Sequence, residues 1–509
     1  MGNWKYDRAK KAIDKRIEDV SDVVIVDYTR DMSLDSIPTN KAYRMDAVHL
    51  YADITNLDDI LENTGHEGER CHKRTLRFLN QHYRAADRIL SRCNARRVDF
   101  HNQRLHSVIS KPYGEDSETD RINRAVAIAQ LIIDVLAETG NDDKSIPNAQ
   151  VRVGIDTGRA LVVNNGRSGN REPLFLGKPA NCAAKFASSG GGVGIYLTND
   201  ARRAIGLEEL AEDKDRTTKL TRAEVEQCQS DADLGVTKET IVQEWRDDLE
   251  KHPIGKFEFT RSTPPLKNLD ILALSPSNSR RMELVSVYAD IDEFTQYVDD
   301  HIDDDPEDVV RCLHVIRSEL DRVISSDFDG RRIRFVGDCI HGLLLEGTSQ
   351  TTDGEKTIST ATLCAGALRS SFNLALERLE ANGVDIDDLG LAIGFDFGPT
   401  PISRLGMRGD KVRCSISRGV LSSEDEQKRC NGNQTAIGET AYDEGTSAVR
   451  SLFGAGRRLS NLTYDIALDS LIADGDKTAK AAASTAFITS SPAMAKAVEE
   501  PFRPYSKDA

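Results

Sequence analysis

An internal duplication is the feature that most restricts how this chain can fold. Three segments recur: residues 48–55 (VHLYADIT) return as 285–292 (VSVYADID), 96–100 (RRVDF) as 331–335 (RRIRF), and 151–158 (VRVGIDTG) as 391–398 (LAIGFDFG). The three pairs share nearly the same offset, 235 to 240 residues, in a chain of 509 residues. A shared offset over separate segments indicates two copies of one fold. The copies are expected to pack as a pseudo-symmetric pair, like a homodimer within one chain.

Each copy has the same predicted order of elements: a strand, a helix, a hairpin, a second helix, a second strand and a hairpin-like segment. Apolar runs such as residues 284–288 indicate strands that are buried on both faces. Stretches such as residues 71–90 are compatible with the helices between them. One sheet with helices on one face is an α+β architecture, so the sequence predicts two tandem α+β domains.

Changes in composition set the predicted limits of the domains. The expected parts are a helical leader (1–40), domain one (41–262), a linker rich in Pro and Ser (263–281), domain two (282–475) and a tail (476–509). In the leader, Ala9, Ile13 and Ile17 recur at helical spacing, which indicates an amphipathic helix. This helix is either a solvated capping helix or one that packs on a domain or on a second subunit. The tail is rich in Ala, Ser, Thr and Lys and is expected to be loosely ordered.

Two carboxylates are predicted to meet at one edge of the second sheet. Asp290 lies at the end of an apolar strand, where the chain turns into a helix. Asp338 follows Gly337 between two strand-like segments, and a Gly-X pair makes a tight hairpin because glycine accepts the positive φ of the turn. If strand and hairpin are neighbours, these carboxylates and the free amides of Phe294 and Thr295 suit Mg²⁺ ions that carry a triphosphate.

These residues resemble the metal-binding half of class III (adenylate/guanylate-type) nucleotide cyclases. The resemblance rests on A-D-I-x-x-F-T at 289–295, followed by F-V-G-D at 335–338. It implies the ferredoxin-like cyclase core for each domain. It also implies a site in which Asp290, Asp338 and the Ile291 carbonyl hold two Mg²⁺ or Mn²⁺ ions. The amides of Phe294 and Thr295 would then bind the β- and γ-phosphates.

Domain one carries the complementary motif of that family. Residues 177–185 (GKPANCAAK) resemble the cyclase pattern G-x-x-V-N-x-A-x-R. The resemblance implies that Asn181 orients the ribose and that Lys185 stabilises the α-phosphate in the transition state. Lys185 departs from the family's arginine, because lysine supplies the charge but not the bidentate fork. Lys256 resembles the family's late triphosphate-binding lysine, although its flanking residues match poorly.

The two copies differ at the positions that matter for a metal. Aligning the two hairpins puts Gln103 where Asp338 stands, and a neutral amide is a poor Mg²⁺ ligand. Asp53 is therefore expected to be a remnant or a hydrogen-bonding residue at a strand end. Residues 411–418, the expected counterpart of the Asn181 motif, lack the N-x-x-x-R pattern. The sequence thus predicts one complete site, built from both domains of one chain, and a second site without activity.

Asp99 is expected to read the base. It occupies the family position that carries a lysine in adenylate cyclases and a glutamate in guanylate cyclases, and Leu174 falls near the second such position, where it offers only shape. A carboxylate accepts hydrogen bonds but cannot donate them, which favours uracil N3–H or guanine N1–H over adenine or cytosine. The alternative is that Asp99 is an exposed strand residue without this role. This contact does not separate UTP from GTP. The resemblance to the pyrimidine cyclases of bacterial Pycsar systems implies UTP as the substrate and cyclic UMP as the product.

The overall composition restricts partners and location. A formal net charge of -16 argues against a nucleic-acid-binding surface. The nine cysteines form no CxxC pair, as expected for reduced thiols in a cytosolic protein. The first residues lack the apolar core of a signal peptide, and no apolar run approaches membrane-spanning length. The chain is therefore predicted to be cytoplasmic, without a membrane partner.

Within the class III cyclases, tandem domains without a membrane or sensor domain resemble the pyrimidine cyclases of bacterial Pycsar antiphage systems. That resemblance implies cyclic UMP or cyclic CMP as product, and a separate effector protein that the cyclic nucleotide activates. A cytidylate or guanylate cyclase, an inactive nucleotide-binding module and a homodimer stay open as alternatives. A phosphoacceptor receiver domain fits poorly, because the hairpin that carries Asp338 does not belong to that fold.

Overall fold

The two copies in the sequence fold as two sheets with matching orders of elements. The computed structural model describes residues 2–38, 40–62, 67–140, 146–164, 173–190, 192–407 and 409–488. The strands are β1 Val24–Asp27, β2 Lys41–Ile54, β3 Arg96–His101, β4 Arg104–Ile109, β5 Val151–Asn164, β6 Pro173–Leu176, β7 Gly194–Leu197, β8 Phe259–Thr260, β9 Ser279–Asp292, β10 Arg331–Val336, β11 Cys339–Leu344, β12 Gly390–Met407, β13 Asp410–Ser415, β14 Gln434–Ile437 and β15 Arg458–Ser460. The α-helices are α1 Tyr6–Asp19, α2 Leu57–Glu62, α3 Glu69–Arg92, α4 Glu118–Leu136, α5 Lys178–Ser188, α6 Asn199–Ala204, α7 Arg222–Asp231, α8 Lys238–Lys251, α9 Phe294–His301, α10 Pro306–Arg322, α11 Gly354–Glu380, α12 Arg418–Lys428, α13 Glu439–Glu444, α14 Ser447–Phe453, α15 Tyr464–Ala473 and α16 Lys477–Ile488.

The sheets have equivalent topologies. The first has the order β3-β4-β2-β5-β6, with β1 on β2 and β7 on β5. The second has the order β10-β11-β9-β12-β14-β15, with β8 on β9 and β13 on β12. In both, two long central strands run antiparallel, and a short parallel strand, β7 or β14, lies beside the second of them. This architecture confirms the predicted α+β fold class.

Amphipathic helices cover one face of each sheet, because their apolar residues are buried there. In domain one, α3 and α4 pack against the sheet in one continuous core. In domain two, α10 and α11 do the same. A charged stretch near the end of domain one forms α7 and α8. Helix α8 is anchored on α3 by the buried Trp245, whose Nε1 donates to the Gln81 carbonyl at 3.2 Å. None of the helices in the described part of the chain is both long and apolar enough to cross a membrane.

The domains exchange hairpins, which fixes them against each other. Leu405, Val412 and Cys414, from β12 and β13, belong to the core of domain one. Leu161 and Leu174, from β5 and β6, belong to the core of domain two. Because each hairpin completes the partner's core, separating the domains would expose apolar surface of both. The pair resembles an obligate dimer interface within one chain.

The leader contacts both domains. Helix α1 packs on α10 and α11 of domain two and buries Ala9 and Ile13 there. Arg8 is ion-paired with Glu319 and Asp327, and Trp4 Nε1 donates to Ser371 Oγ at 2.7 Å. The rest of the leader joins domain one instead, because β1 pairs in parallel with β2.

Two predicted boundaries differ from the structure. Strand β8 lies within the predicted limits of domain one but pairs with β9 of the second sheet. The predicted tail begins with helix α16, in which Ala479 and Ala482 are buried, so the expectation of loose order is wrong for this stretch. The helix has small apolar residues with no clear period, and packing rather than pattern stabilises it. Residues 489–509 lie outside the described residues.

Candidate active site

The two predicted metal-binding carboxylates lie side by side at one end of the second sheet. Strand β9 ends at Asp292, just past Asp290, and β11 pairs with it so that Ile340 faces Ala289. β10 and β11 are joined by the turn that contains Gly337, whose φ of 60° favours glycine. The tight hairpin therefore presents Asp338 beside Asp290.

Burial and mutual repulsion define the electrostatics of this pair. Burial raises the pKa of Asp290 well above its ordinary value, and the charge of Asp338 adds to the shift. Burial raises the pKa of Asp338 to about 6, although backbone hydrogen bonds and Arg317 oppose it. The nearby charge of Asp292 raises the pKa of both carboxyls. Close, buried carboxylates that repel one another are a donor set that suits a divalent cation.

The N-terminus of α9 borders the carboxylate pair. Because α9 begins at Phe294, the amides of Phe294 and Thr295 belong to its first turn and have no partner within the helix. A helix N-terminus carries a partial positive charge and suits phosphate oxygens. Carboxylates and amides thus converge at the end of one strand.

Helix α5 of domain one brings Asn181 and Lys185 to the same place. Asn181 Nδ2 donates a hydrogen bond to Thr295 Oγ1 across the domain boundary. Lys185 lies one turn further along α5; it is exposed and lines the cavity. The helix start is held by Asp299 of α9, whose Oδ1 accepts from the Lys178 backbone N–H at 2.8 Å; α5 has no capping side chain of its own.

One cavity of about 1000 Å³ joins these groups. Among its lining residues are nine of the ten predicted site residues: Asp290, Ile291, Phe294, Thr295 and Asp338 from domain two, and Asp99, Leu174, Asn181 and Lys185 from domain one. A cavity of this size between two domains can hold a nucleotide. The fold therefore brings together what the two copies contribute separately.

Lys256 is the exception, and its predicted place in the site is wrong. It is exposed and does not line the cavity. It precedes β8, which pairs with the Ser279 end of β9. Asp290 lies near the opposite end of that strand. At about 3.3 Å per residue, the strand carries Asp290 about 36 Å from Ser279. A basic residue that does line the cavity, beyond the C-terminal end of α5, is Arg216.

Asp99 lies in the cavity wall and is ion-paired across the domain boundary. Arg334 Nη1 donates to Asp99 Oδ1 at 2.7 Å, and it also donates to the Phe100 carbonyl. The side chains of Asp99 and Arg334 are only 18% and 11% exposed. The two residues occupy equivalent positions in the two hairpins, so they meet near the pseudo-twofold axis.

An aromatic wall stands beside Asp99. The rings of Tyr51 and His106 stack with centroids 4.2 Å apart, and both line the cavity with Leu174 and Phe175. Burial lowers the pKa of His106 well below its ordinary value, so the ring is neutral. A flat, uncharged surface beside a hydrogen-bond acceptor is suited to a nucleobase.

The symmetry-related site carries different side chains. His101 pairs with Arg104 across its hairpin turn as Val336 pairs with Cys339, so Gln103 stands where Asp338 does in the other copy. Burial raises the pKa of Asp53 to about 6, and the charge of Arg104 opposes this shift. Arg104 Nε lies 3.6 Å from Asp53 Oδ2. An arginine therefore lies beside this aspartate.

The counterpart of α5 in domain two is α12, not residues 411–418. Residues up to Ser415 belong to β13, the counterpart of β6. When the starts of α5 and α12 are aligned, Leu421 stands at Asn181 and Asp425 stands at Lys185. The prediction placed the counterpart too early in the chain, although Ser417, whose Oγ accepts from the Val420 backbone N–H at 3.1 Å, caps the start of α12. The conclusion that domain two lacks these two groups is unchanged.

Sequence reasoning missed four residues at the cavity. Arg216, Arg104 and Glu424 line it, and Arg334 is ion-paired with Asp99 in its wall. Arg334 could have been found from the duplication, because it stands 235 residues after Asp99 and equivalent residues meet at a pseudo-twofold axis. Arg216 lies in a turn-rich stretch that no sequence pattern connects with Lys185. Glu424 lies on the helix whose counterpart was placed incorrectly.

Comparisons with known proteins agree with this geometry. Residues 41–229 match the adenylate and guanylate cyclase catalytic domain family. A protein of Pseudomonas aeruginosa named uridylate cyclase is 59% identical over 507 residues, which are 99% of this chain and 98% of that protein. A second uridylate cyclase, from a Rhizobium species, is 40% identical over 439 residues and 82% of either chain. A crystal structure of a class III adenylyl cyclase-like ATP-binding protein from Pseudomonas aeruginosa matches with a TM-score of 0.91 and 60% identity, over 92% of this chain and 100% of that one. The chain belongs to the class III nucleotide cyclase family.

Proposed function

We propose that this chain converts UTP to 3′,5′-cyclic UMP and pyrophosphate. The observation that carries the reaction type is the shared cavity, in which Asp290 and Asp338 of domain two face Asn181 and Lys185 of domain one. The two relatives named uridylate cyclases, one of them similar over nearly the full chain, support UTP as the substrate. An inactive nucleotide-binding module is disfavoured, because one cavity contains both the predicted metal ligands and the predicted Asn–Lys pair.

Asp290, Asp338 and the Ile291 carbonyl are the groups that would hold two Mg²⁺ or Mn²⁺ ions. The chemistry of the donor set fits, because hard oxygen ligands and a buried excess of negative charge favour such ions. When bound, these ions would lower the pKa of the ribose 3′-hydroxyl and offset phosphate charge.

The residues of the chain supply orientation and charge stabilisation. Asn181 would orient the ribose after giving up its hydrogen bond to Thr295, so substrate binding replaces an interdomain contact with a contact to the nucleotide. The first amides of α9 would bind the β- and γ-phosphates. The 3′-hydroxyl would lose its proton to solvent as its oxygen attacks the α-phosphorus in line. The bond to pyrophosphate would break, and Lys185 would stabilise the charge on the equatorial oxygens.

The base would lie between Asp99 and the stacked rings of Tyr51 and His106. Arg334 engages one oxygen of the Asp99 carboxylate, and an acceptor fixed in this way favours a base with a ring N–H. Uracil N3–H satisfies it, whereas adenine N1 would oppose it with a lone pair. The solved relative at 60% identity is described as ATP-binding, which supports a nucleotide in the cavity but not the exclusion of adenine.

Product identification tests the proposed function directly. The full chain is incubated with equimolar ATP, CTP, GTP and UTP and with Mn²⁺ or Mg²⁺, and cyclic products are separated by mass. Cyclic UMP is expected to dominate. Cyclic CMP as the main product would identify a cytidylate cyclase, and cyclic GMP would identify a guanylate cyclase. Cyclic AMP would contradict the role of Asp99 in recognising the base. As a diffusible cytoplasmic product, cyclic UMP would act on a separate effector, as in the antiphage systems that the tandem domains resemble.

Changing Asp99 to asparagine is expected to reduce selectivity between triphosphates. Asparagine keeps the shape but can also donate a hydrogen bond, so UTP should lose about tenfold in kcat/KM relative to CTP and ATP. The same competition assay measures the change. Asp248→Asn is the matched control, because it disrupts another Asp–Arg pair, with Arg84, on two helices that do not line the cavity. Unchanged selectivity in Asp99→Asn would show that Asp99 serves only the interdomain pair.

Arg216, rather than Lys256, is expected to contact the triphosphate. Arg216→Ala should raise the KM for the nucleotide about tenfold, since an exposed charge-assisted phosphate contact contributes roughly 1.5 kcal/mol. Lys256→Ala should leave KM and kcat unchanged, because that lysine lies near the other end of β9. Steady-state kinetics of both variants gives the comparison. A larger effect of Lys256→Ala would contradict this assignment.

A further inference from the structure

The second, symmetry-related site contains two large charged residues where the first site has two small ones. Arg104 follows the turn of its hairpin as Cys339 follows the turn of the other. Glu424 is the seventh residue of α12, and Ala184 is the seventh residue of α5. All four residues line the one cavity between the domains. The two sites therefore differ in the size and charge of these side chains as well as in their catalytic groups.

The two large residues form an ion pair between the domains. Arg104 Nη1 donates to Glu424 Oε1, and their side chains are only 18% and 8% exposed. Lys428 Nζ lies 2.9 Å from Glu424 Oε1, and His101 Nε2 lies 3.8 Å from Glu424 Oε2. Asp53 Oδ2 lies 3.6 Å from Arg104 Nε, which is too far for a hydrogen bond, so the pair does not depend on it. The pair is thus supported from both domains.

Glu424 stays ionised despite its burial. Burial would raise the pKa of Glu424, but Arg104 and His101 outweigh it and hold that pKa well below its ordinary value. A buried ion pair adds little net stability compared with apolar residues, yet removal of one partner leaves the other uncompensated. The Arg104–Glu424 pair is therefore suited to fixing the position of α12 relative to the β3–β4 hairpin of domain one.

Helix α12 links the ion pair to the metal-binding carboxylate. Gln427 lies three residues after Glu424, on the same face of the helix. Its Nε2 lies 3.4 Å from Asp290 Oδ2. A side chain that contacts a metal-ligating carboxylate sets its orientation, and the loss of such contacts costs about 10- to 100-fold in metal affinity or activity.

We propose that the Arg104–Glu424 pair is a permanent substitute for a second ligand, and that it positions Asp290 through α12 and Gln427. The pair joins the domains at the second site, so the first site needs no ligand there to be organised. Arg104 and Glu424 are positioning residues for the reaction at the first site. This inference rests on the proposed function for its activity measurements, but not for its metal-binding measurement.

The test compares Glu424→Gln, Arg104→Lys and the control Asp248→Asn in the full chain. Mn²⁺ binding is measured without nucleotide, from the signal of free Mn²⁺ in electron paramagnetic resonance, and turnover is measured separately. Glu424→Gln keeps the shape but removes the charge, so Mn²⁺ affinity and kcat should each fall about tenfold, with KM nearly unchanged. Arg104→Lys keeps the charge and should retain most of both. Asp248→Asn disrupts a buried ion pair within domain one and should alter neither.

The outcomes separate the possible explanations. Wild-type Mn²⁺ affinity in Glu424→Gln would overturn the proposal, whether or not the chain is a cyclase. Equal losses in Glu424→Gln and Asp248→Asn would also overturn it, because they would reflect general stability. Lost Mn²⁺ affinity in Glu424→Gln with Arg104→Lys and Asp248→Asn intact would support it. An inactive wild type with this pattern of metal binding would refute the proposed function and leave the positioning role in place.

Discussion

Replacing Asp290 or Asp338 by alanine is expected to abolish formation of the cyclic nucleotide. Under the proposed function, each substitution removes a charged ligand from a site that would hold two divalent ions. A metal centre contributes several kcal/mol to a phosphoryl-transfer transition state, and at about 1.36 kcal/mol per tenfold the loss in kcat should be about a thousandfold or more. The measurement is the initial rate of product formation at saturating UTP and Mn²⁺.

Asp53→Ala is the matched control, because Asp53 stands at the equivalent position of the equivalent strand. Gln103 has already removed the second ligand there, and Arg104 lies beside Asp53. This variant should keep most of its activity. If Asp53→Ala were as damaging as Asp290→Ala, the assignment of the metal site to domain two alone would be wrong. Near-wild-type activity of Asp338→Ala would refute the assignment of a metal site to Asp290 and Asp338.

The local parts of the site could be predicted from the sequence. The hairpin that carries Asp338 depends on Gly337 and its positive φ, which is a property of two neighbouring residues. The α+β fold follows from the alternation of apolar runs and helical stretches within each copy. The place of Gln103 follows from aligning two hairpins of equal length. The first two inferences use residues that are close in the sequence, and the third compares two short segments that the duplication relates.

The parts that could not be predicted depend on contacts between the domains. Lys256 looked acceptable by order in the sequence, but the pairing of β8 with the start of β9 takes it away from the cavity. The Arg104–Glu424 pair joins residues that are 320 positions apart, which is not the offset of the duplication. No local pattern encodes this pair, because it depends on how a hairpin and a helix pack across the domain boundary.

Lys185 is expected to be needed for the chemical step rather than for binding. The charge on the equatorial oxygens of the α-phosphate rises only in the transition state, so Lys185→Met should lower kcat about 10²- to 10³-fold with little change in KM. Methionine keeps most of the length of the side chain and removes only its charge. Lys185→Arg restores the charge and should recover most of the rate, because arginine is the family's residue at this position.

Steady-state kinetics distinguishes these expectations from a structural role. A Lys185→Met variant with unchanged kcat and a raised KM would place the lysine in ground-state binding. Equal loss in Lys185→Met and Lys185→Arg would mean that the position, and not the charge, matters. Thermal unfolding should be the same for both variants, because Lys185 is exposed and forms no ion pair among the described residues.

Mixing purified Lys185→Met and Asp338→Ala chains should restore little activity. The two changes damage opposite domains, yet both domains belong to the same site within one chain. The exchanged hairpins bury Leu405 and Val412 in domain one and Leu161 in domain two, so re-pairing between chains would first expose both cores. Activity of the mixture should equal the sum of the two variants over hours of incubation. Recovery of a large fraction of the wild-type rate would instead place the site between two chains.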